Sequence, residues 1–140
     1  MNTQSETKNQ TKESSHNDNK ELINQLEKQV SIAVWIQFIG AIMESLYLSK
    51  IMLISEEVRA DENERQIVLS SWVGSIGTFL DSIGTTTQAF TSDEKIELEG
   101  EVLSNFGDWI KVISSILDAH AGTQIIIEDK EKLRQPTFFP

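Results

Sequence analysis

Apolar residues recur along this chain with helical spacing, in three stretches that resemble one another. Each stretch has a tryptophan at its centre, Trp35, Trp72 or Trp109, and successive tryptophans are 37 residues apart. At about 100 degrees per residue, the positions one, four, seven, eight and eleven after each tryptophan share one side of a helix. Nearly all of these positions are apolar. The pattern therefore predicts three helices, each with one apolar stripe.

The equal spacing indicates an internal repeat. Each copy also has an isoleucine four residues after its tryptophan, at Ile39, Ile76 and Ile113. Aromatic and branched apolar side chains on a helical stripe are usually buried. We therefore predict that the three tryptophans and three isoleucines anchor the core, and that the tryptophans share one layer of it.

Each copy further carries an acidic residue nine positions after its tryptophan, at Glu44, Asp81 and Asp118. Three carboxylates in register suggest a divalent-cation site with oxygen ligands. Helical geometry places them opposite the tryptophan, however, where an acid is normally solvated. We predict a solvated face, with no metal site and no cofactor.

Composition sets the domain boundaries. Residues 1–19 contain one apolar side chain, Met1, and are rich in Asn, Gln, Ser and Thr, so that we expect a disordered tail. Residues 20–124 hold the three repeats. Residues 125–140 are expected to form a C-terminal tail, because Gly122 is a plausible helix stop.

Capping signals divide the repeats into helices. The apolar pattern breaks near residues 55–61, and Asp61 followed by Glu64 matches a capping box for the second helix. Thr91 followed by Glu94 offers another for the third helix. Three helices of about 30 residues joined by short turns pack most simply as an antiparallel up-down-up bundle. The predicted fold class is all-α.

Composition and charge exclude several classes of protein. The chain of 140 residues is long enough for one domain with a core, and it has no cysteine for a disulfide or a thiolate metal site. The formal charge of -10 argues against binding to nucleic acid or anionic lipid. The start of the chain has no apolar signal-peptide core. The longest uncharged runs, 29–43 and 66–80, are shorter than the roughly 20 residues of a membrane span. We expect a cytoplasmic protein, although export without a signal peptide stays open.

Two groups of residues are candidates for interaction. Gly74, Gly77 and Gly84 weaken the second helix intrinsically, each by up to about 1 kcal/mol. They indicate close helix approach, lipid contact, or a packing fit in an ordinary bundle, which we favour. Phe138 and Phe139 near the C-terminus suggest either a docking peptide or a tail folded back onto the bundle.

Catalytic patterns are absent from the sequence. Of the two histidines, His16 lies in the polar tail and His120 lies on the apolar stripe. A histidine at such a position is usually a satisfied core or rim residue, and a pH-sensitive switch is the alternative. No metal-binding, phosphate-loop or dinucleotide motif is present. We expect that the protein is not an enzyme.

The recurring unit of Trp, Ile/Val, Ile-Gly and a closing acid resembles the small internally repetitive bacterial proteins that form a family of unknown function. The resemblance covers residues 20–125 and implies no activity. Trp72-Val73-Gly74 is also similar to the W-x-G triplet of type VII secretion substrates, where it marks a bend between two helices. Periodicity places Trp72 in the middle of a helix instead.

Two functions follow as expectations. The first is a non-enzymatic helical scaffold or interaction protein that binds itself or another helical protein. The second is a peripheral membrane or secreted helical protein that uses its glycine and threonine face, and binding to lipid vesicles would favour it.

Overall fold

The computed structural model describes the backbone of residues 3–135 and the side chains of residues 15–135, and this part of the chain is helical apart from short connections. The helices are α1 (Thr3–Ile54), α2 (Glu56–Ala60), α3 (Glu62–Phe90) and α4 (Glu94–Arg134). The predicted all-α class is confirmed. The described residues form four helices rather than three, because the predicted break at 55–61 contains the five-residue helix α2.

Polar side chains start the helices after the first. Ser55 accepts a hydrogen bond from the backbone N–H of Val58 and caps α2. Asp61 caps α3 as predicted, because it accepts from Asn63 and Glu64, but its own N–H bonds the carbonyl oxygen of Glu57, so that the reciprocal half of the predicted capping box does not form. The cap of α4 is Asp93 rather than the predicted Thr91, which is the C-cap residue of α3. Asp93 accepts hydrogen bonds from two backbone N–H groups of α4, so that Asp93 and not Thr91 is the cap.

Both outer helices are longer than predicted. Helix α4 continues through Gly122 to Arg134, so that the predicted stop at Gly122 is wrong and the helix extends into the expected 125–140 tail. Apolar and charged residues of good helix propensity follow Gly122, and they outweigh the cost of one glycine. Helix α1 includes residues 3–19, for which composition predicts disorder, and the side chains of residues 15–19 are exposed. Phe138 and Phe139 lie outside the described residues.

The three long helices form an antiparallel bundle that is open on one side. Helix α3 packs against both α1 and α4, whereas within the described residues α1 and α4 do not contact each other. Pairs such as Ser45 with Ser75 and Ser31 with Thr86 show that α1 and α3 run antiparallel. Helix α3 is therefore the central element on which the other two depend.

The interior of this bundle consists mainly of small and hydroxyl-bearing residues, with Val34 and Val68 as its larger apolar members. The largest fully buried side chains are serines: Ser45, Ser70, Ser75 and Ser82. Trp72 and Trp109 are 36% and 63% exposed, so that the predicted tryptophan layer in the core is wrong. The predicted isoleucine anchors are about half exposed as well, at 55%, 54% and 52%. The apolar stripe of each helix faces outward.

Candidate functional site

Helices α3 and α4 meet along a line of small residues spaced seven apart, which we call the glycine seam. Its members are Ser70, Gly77 and Gly84 on α3 and Gly100, Gly107, Ser114 and Ala121 on α4. A spacing of seven residues keeps the same side of two shallowly crossed helices in contact along their length. These four residues of α4 are its buried residues within the described chain.

The backbones touch at the glycines of the seam. A Cβ atom added to Gly77 would lie 2.7 Å from the carbonyl oxygen of Gly107, and one added to Gly107 would lie 2.5 Å from that of Gly77. A Cβ on Gly84 would overlap the backbone of Gly100 and Ser104. Only glycine permits this approach, because any side chain would force the two backbones apart.

A network of charged side chains lies at the middle of the seam. The ammonium group of Lys111 lies 2.7 Å from Asp81 Oδ2 and 2.6 Å from Asp108 Oδ1. Ser104 and Thr85 donate hydrogen bonds to Asp81 Oδ1 at 2.5 Å and 3.2 Å. Asp81 is only 8% exposed, which corrects the prediction of a solvated acid. Close helix approach buries its carboxylate, and the lysine and two hydroxyls compensate the lost hydration.

Hydroxyl groups also join α1 to α3. Ser45 and Ser75 share a hydrogen bond of 2.8 Å, and Ser82 Oγ donates to the carbonyl oxygen of Val34 at 3.2 Å. Two of the repeated tryptophans contribute from the rim, because each donates its indole N–H to a hydroxyl of the facing helix. Trp35 bonds Thr86 at 2.8 Å and Trp72 bonds Ser49 at 2.9 Å. These two tryptophans thus form hydrogen bonds between helix edges instead of filling a core.

A polar groove runs along the open side of α3, between α1 and α4. Its floor is formed by hydroxyl-bearing and glycine residues of α3, and its walls carry Glu44 from α1 and Lys111 and Asp118 from α4. The floor and wall residues without charge are Ser70, Ser71, Gly74, Thr78, Ala41, Ser114 and Ser115. All three repeated acids therefore border α3, one inside the seam and two beside the groove.

The opposite, outer surface is apolar. Leu69, Ile76 and Phe79 of α3 are 40–60% exposed, and α1 and α4 expose isoleucine, leucine and valine side chains in the same way. At the junction of α1 and α3, Trp35 packs edge to face against Phe38 and Phe79, and the rings of these two phenylalanines are tilted against each other. Soluble monomers rarely expose apolar patches of more than a few hundred Å². The exposed surface thus has the apolar composition that is usual for the interior of a soluble protein.

The structure places the sequence candidates in three environments. Gly77 and Gly84 lie in the seam, and Gly74 lies beside it, where an added Cβ would meet Ser114 Oγ at 2.7 Å. The six repeat anchors lie on the outer surface or its rim. His120 is exposed, with its ring nitrogen 3.5 Å from the Gln66 amide. Among the side chains at 15–135, no three His, Cys, Asp or Glu residues are grouped as a metal site.

Sequence reasoning missed the seam although its signal is present. The seven-residue spacing of Gly100, Gly107, Ser114 and Ala121 is visible in the sequence, as is that of Gly77 and Gly84. The tryptophan stripe is the stronger signal for a soluble protein, because in water the larger apolar side chains gain most from burial. Two polar residues of α4, Lys111 and Ser104, belong to the site but were not among the sequence candidates. They pair with Asp81 only through tertiary contact.

By length and composition, three helices could cross a membrane: residues 15–54, α3 and α4, with mean hydropathy of 1.5, 1.3 and 1.2 in their most apolar windows. The most apolar stretch of each helix contains at most two charged residues and is longer than the uncharged runs 29–43 and 66–80. No protein-family model, curated protein or solved structure matches this chain.

Proposed function

We propose that the protein is a non-enzymatic helical scaffold embedded in a membrane, in which lipid covers the outer surface of α1, α3 and α4. The observation that carries the proposal is the inverted distribution of side chains. Small and hydroxyl-bearing residues fill the helix contacts, and the large apolar residues point outward. This distribution is typical of helices that associate in lipid, where apolar side chains gain nothing from contact with one another.

The dimensions of the apolar region support this proposal. The stretch with few charges comprises residues 29–49 in α1, 66–90 in α3 and 102–127 in α4. At 1.5 Å per residue these stretches are about 30–40 Å long, close to the thickness of a bilayer core. Charged residues cluster at both ends of the bundle, including Lys28 and Lys50 on either side of the α1 stretch.

The charged residues inside these stretches lie along the seam and the groove. Asp81 pairs with Lys111 in the seam, Asp108 reaches the same ammonium group from a side chain that is 59% exposed, and Glu44 and Asp118 border the polar groove. Ionisable residues in membrane helices usually face the bundle interior or a polar cavity and pair with one another. The buried hydroxyls are also satisfied within the described residues, many by the carbonyl four residues earlier, as in Ser82 and Thr78.

The alternative is a soluble scaffold in which copies of the chain cover one another's apolar surfaces. Both forms are non-enzymatic interaction proteins, and they differ in what contacts Ile39, Ile76 and Ile113. A cytoplasmic location belongs to this alternative.

Fractionation of cells that express the full chain separates the two forms. We expect the protein to sediment with membranes, to remain there after extraction with alkaline carbonate, and to dissolve only in detergent. Recovery in the soluble fraction as a defined oligomer, without detergent, would contradict the membrane proposal and support the soluble scaffold. Light scattering of that fraction would then give the number of copies.

A further inference from the structure

The polar groove has a counterpart near the other end of α3. The groove itself encloses about 270 Å³, and a second cavity of about 290 Å³ is lined by residues of all three long helices. Thr85 of the second cavity lies seven residues, or about two turns, after Thr78 of the groove, so that both face the same open side of α3. This side of the bundle is therefore recessed at both of its ends.

Each recess is lined by two acids, one from α1 and one from α4. They are Glu44 and Asp118 in the groove, and Glu27 and Glu97 in the second cavity. Among the side chains of residues 15–135, none of these four carboxylates forms an ion pair. Ionisable residues in membrane helices usually face a polar cavity and pair with an opposite charge. The open side of α3 thus carries negative charge at both ends that the described part of the chain does not neutralise.

The uncharged polar groups of the groove also offer acceptors. Ser71, Thr78 and Ser115 each donate their hydroxyl hydrogen to a backbone carbonyl oxygen, at 2.7, 2.9 and 2.9 Å. A hydroxyl group has one hydrogen to donate and two lone pairs, so that only lone pairs are left to face the groove. The ammonium group of Lys111 is already held by two carboxylates. The lining therefore attracts positively charged donors.

Charge and distance decide between possible occupants. A second copy that presented the same groove would bring carboxylates against carboxylates, and the acyl chains of lipid have no donors for them. The two acids of α1 are 17 residues apart and those of α4 are 21 residues apart, which is about 25–31 Å along a helix. A small cation reaches one pair of acids, whereas one helix that lies in the groove reaches both.

We propose that the open side of α3 binds a helix of another protein, one that carries Lys or Arg at each end of a face of small residues. The two basic residues are about 18 positions apart, so that each lies between two acids. Small residues between them fit because the floor of the groove includes Gly74 and Ser71, which permit close approach. The inference rests on the proposed scaffold function and deepens it by stating the chemistry of the partner.

A synthetic helical peptide serves as the probe. It carries two lysines about 18 residues, or five turns, apart on a face of alanine and serine, with leucine on its other sides. We expect fluorescence anisotropy of the labelled peptide to show saturable binding to the full-length protein in neutral detergent. A peptide with glutamine in place of both lysines should bind roughly tenfold more weakly or not at all. Equal binding of the two peptides, or no binding of the lysine peptide, would overturn the proposal.

Neutralisation of the acids tests both ends of the groove. The variants E27Q/E97Q and E44Q/D118N each remove two negative charges from one end and keep the size of the side chains. Each should weaken binding of the lysine peptide by roughly tenfold, because a basic residue of the peptide loses its partners there. Unchanged affinity in both variants would show that the peptide does not lie between these acids.

A matched control removes the same charge from the same two helices. Glu21 and Glu99 are exposed, and helical geometry directs them away from the open side of α3. The variant E21Q/E99Q should therefore bind the lysine peptide as the natural protein does. Weakening equal to that of the groove variants would overturn the proposal, because the attraction would then come from the net charge of the whole protein.

Cysteine cross-linking locates the peptide, because the natural chain has no cysteine. Ser71→Cys lies on the floor of the groove, and Ile76→Cys lies on the outer surface. With a lysine peptide that also carries a cysteine beside each lysine, we expect a disulfide with Ser71→Cys under mild oxidation and only background with Ile76→Cys. Equal yields would contradict docking in the groove.

Two other outcomes are distinguished by the same samples. A disulfide-linked dimer of Ser71→Cys in the absence of peptide would place a second copy of the chain in the groove and would overturn the proposal. Neutral detergent disperses the protein whether it is recovered from membranes or from the soluble fraction. The result of the binding measurement is thus separate from that of the fractionation, and either proposal can fail alone.

Discussion

At the scale of single residues, the size of a side chain decides whether it lies between helices or on the outer surface. The residues with no side chain or a hydroxyl lie where helices touch, and tryptophan, isoleucine and phenylalanine lie outside. Gly84 and Gly77 are there because a Cβ would occupy the space of the facing backbone. Asp81 is buried because that approach leaves no room for water around it. Substitutions of these residues should therefore cost more than substitutions of the large apolar residues.

Gly84→Ala tests the close approach. The added Cβ overlaps the backbone of α4, and overpacking of this kind costs about 1–3 kcal/mol, more than the roughly 1 kcal/mol that alanine gains in helix propensity. We expect a net loss in the free energy of unfolding, measured by denaturation in the medium that keeps the protein folded. Gly122→Ala, which has open space, should be neutral or stabilising. Equal effects of the two variants would show that the backbones do not touch at Gly84.

A double-mutant cycle with alanine measures the coupling energy between Asp81 and Lys111. Each single variant leaves a charged group with fewer partners in a partly buried place, whereas the double variant removes both charges. We expect a coupling energy of about 1–3 kcal/mol. The exposed pair of Glu56 and Arg59, 3.5 Å apart, is the control and should give less than about 0.5 kcal/mol. Equal coupling in both cycles would mean that the seam network contributes nothing specific.

At the scale of elements, α3 is packed on two sides and each outer helix on one. Hydroxyl and indole groups attach α1, the glycine seam attaches α4, and within the described residues nothing joins α1 to α4 directly. Side chains 15–27 of α1 are exposed, so that the first turns of this long helix have no tertiary support. Local stability should decrease from α3 outward.

Amide hydrogen exchange checks this order. We expect the slowest exchange in residues 68–86 of α3, faster exchange in the middle of α1 and α4, and the fastest in residues 3–20. The fast exchange follows because isolated helices without packing are marginal. It would agree with the disorder that composition predicts for 1–19. Protection of residues 3–20 as strong as that of α3 would contradict this prediction and indicate a contact of that segment with another molecule.

At the scale of the whole molecule, the outer surface determines what surrounds the protein. Ile76 lies at the middle of α3 and is 54% exposed, and Ile54 lies at the end of α1 and is 75% exposed. Both are surface residues in water. In lipid, only Ile76 would lie near the bilayer centre, which makes the two positions a matched pair.

Replacement of each of these isoleucines by lysine distinguishes lipid from water. In lipid, Ile76→Lys should cost about 2.5–3.5 kcal/mol and lower the amount of protein in the membrane, whereas Ile54→Lys should cost little. In water, both variants should change the free energy of unfolding by less than about 0.5 kcal/mol. Membrane recovery of the Ile76→Lys protein equal to that of Ile54→Lys would count against the membrane-embedded scaffold.

The local structure of the chain can be read from its sequence. Helical spacing of apolar residues, the break at 55–61 and the cap at Asp61 follow from interactions within a few residues, and the all-α class follows from them. The ends of α1 and α4 were not determined in this way, because no strong stop signal stands at Gly122 and polar residues with good helix propensity permit extension.

The face of each helix that lies inside is set by tertiary contacts. The tryptophan stripe and the seven-residue spacing of small residues coexist on different sides of the same helices, and periodicity alone does not rank them. In a soluble protein, the side with the large apolar residues is the one expected to be buried. The close fit of Gly77 to Gly107 and the pairing of Asp81 with Lys111 join residues 30 positions apart in sequence, and these contacts turn the small residues inward.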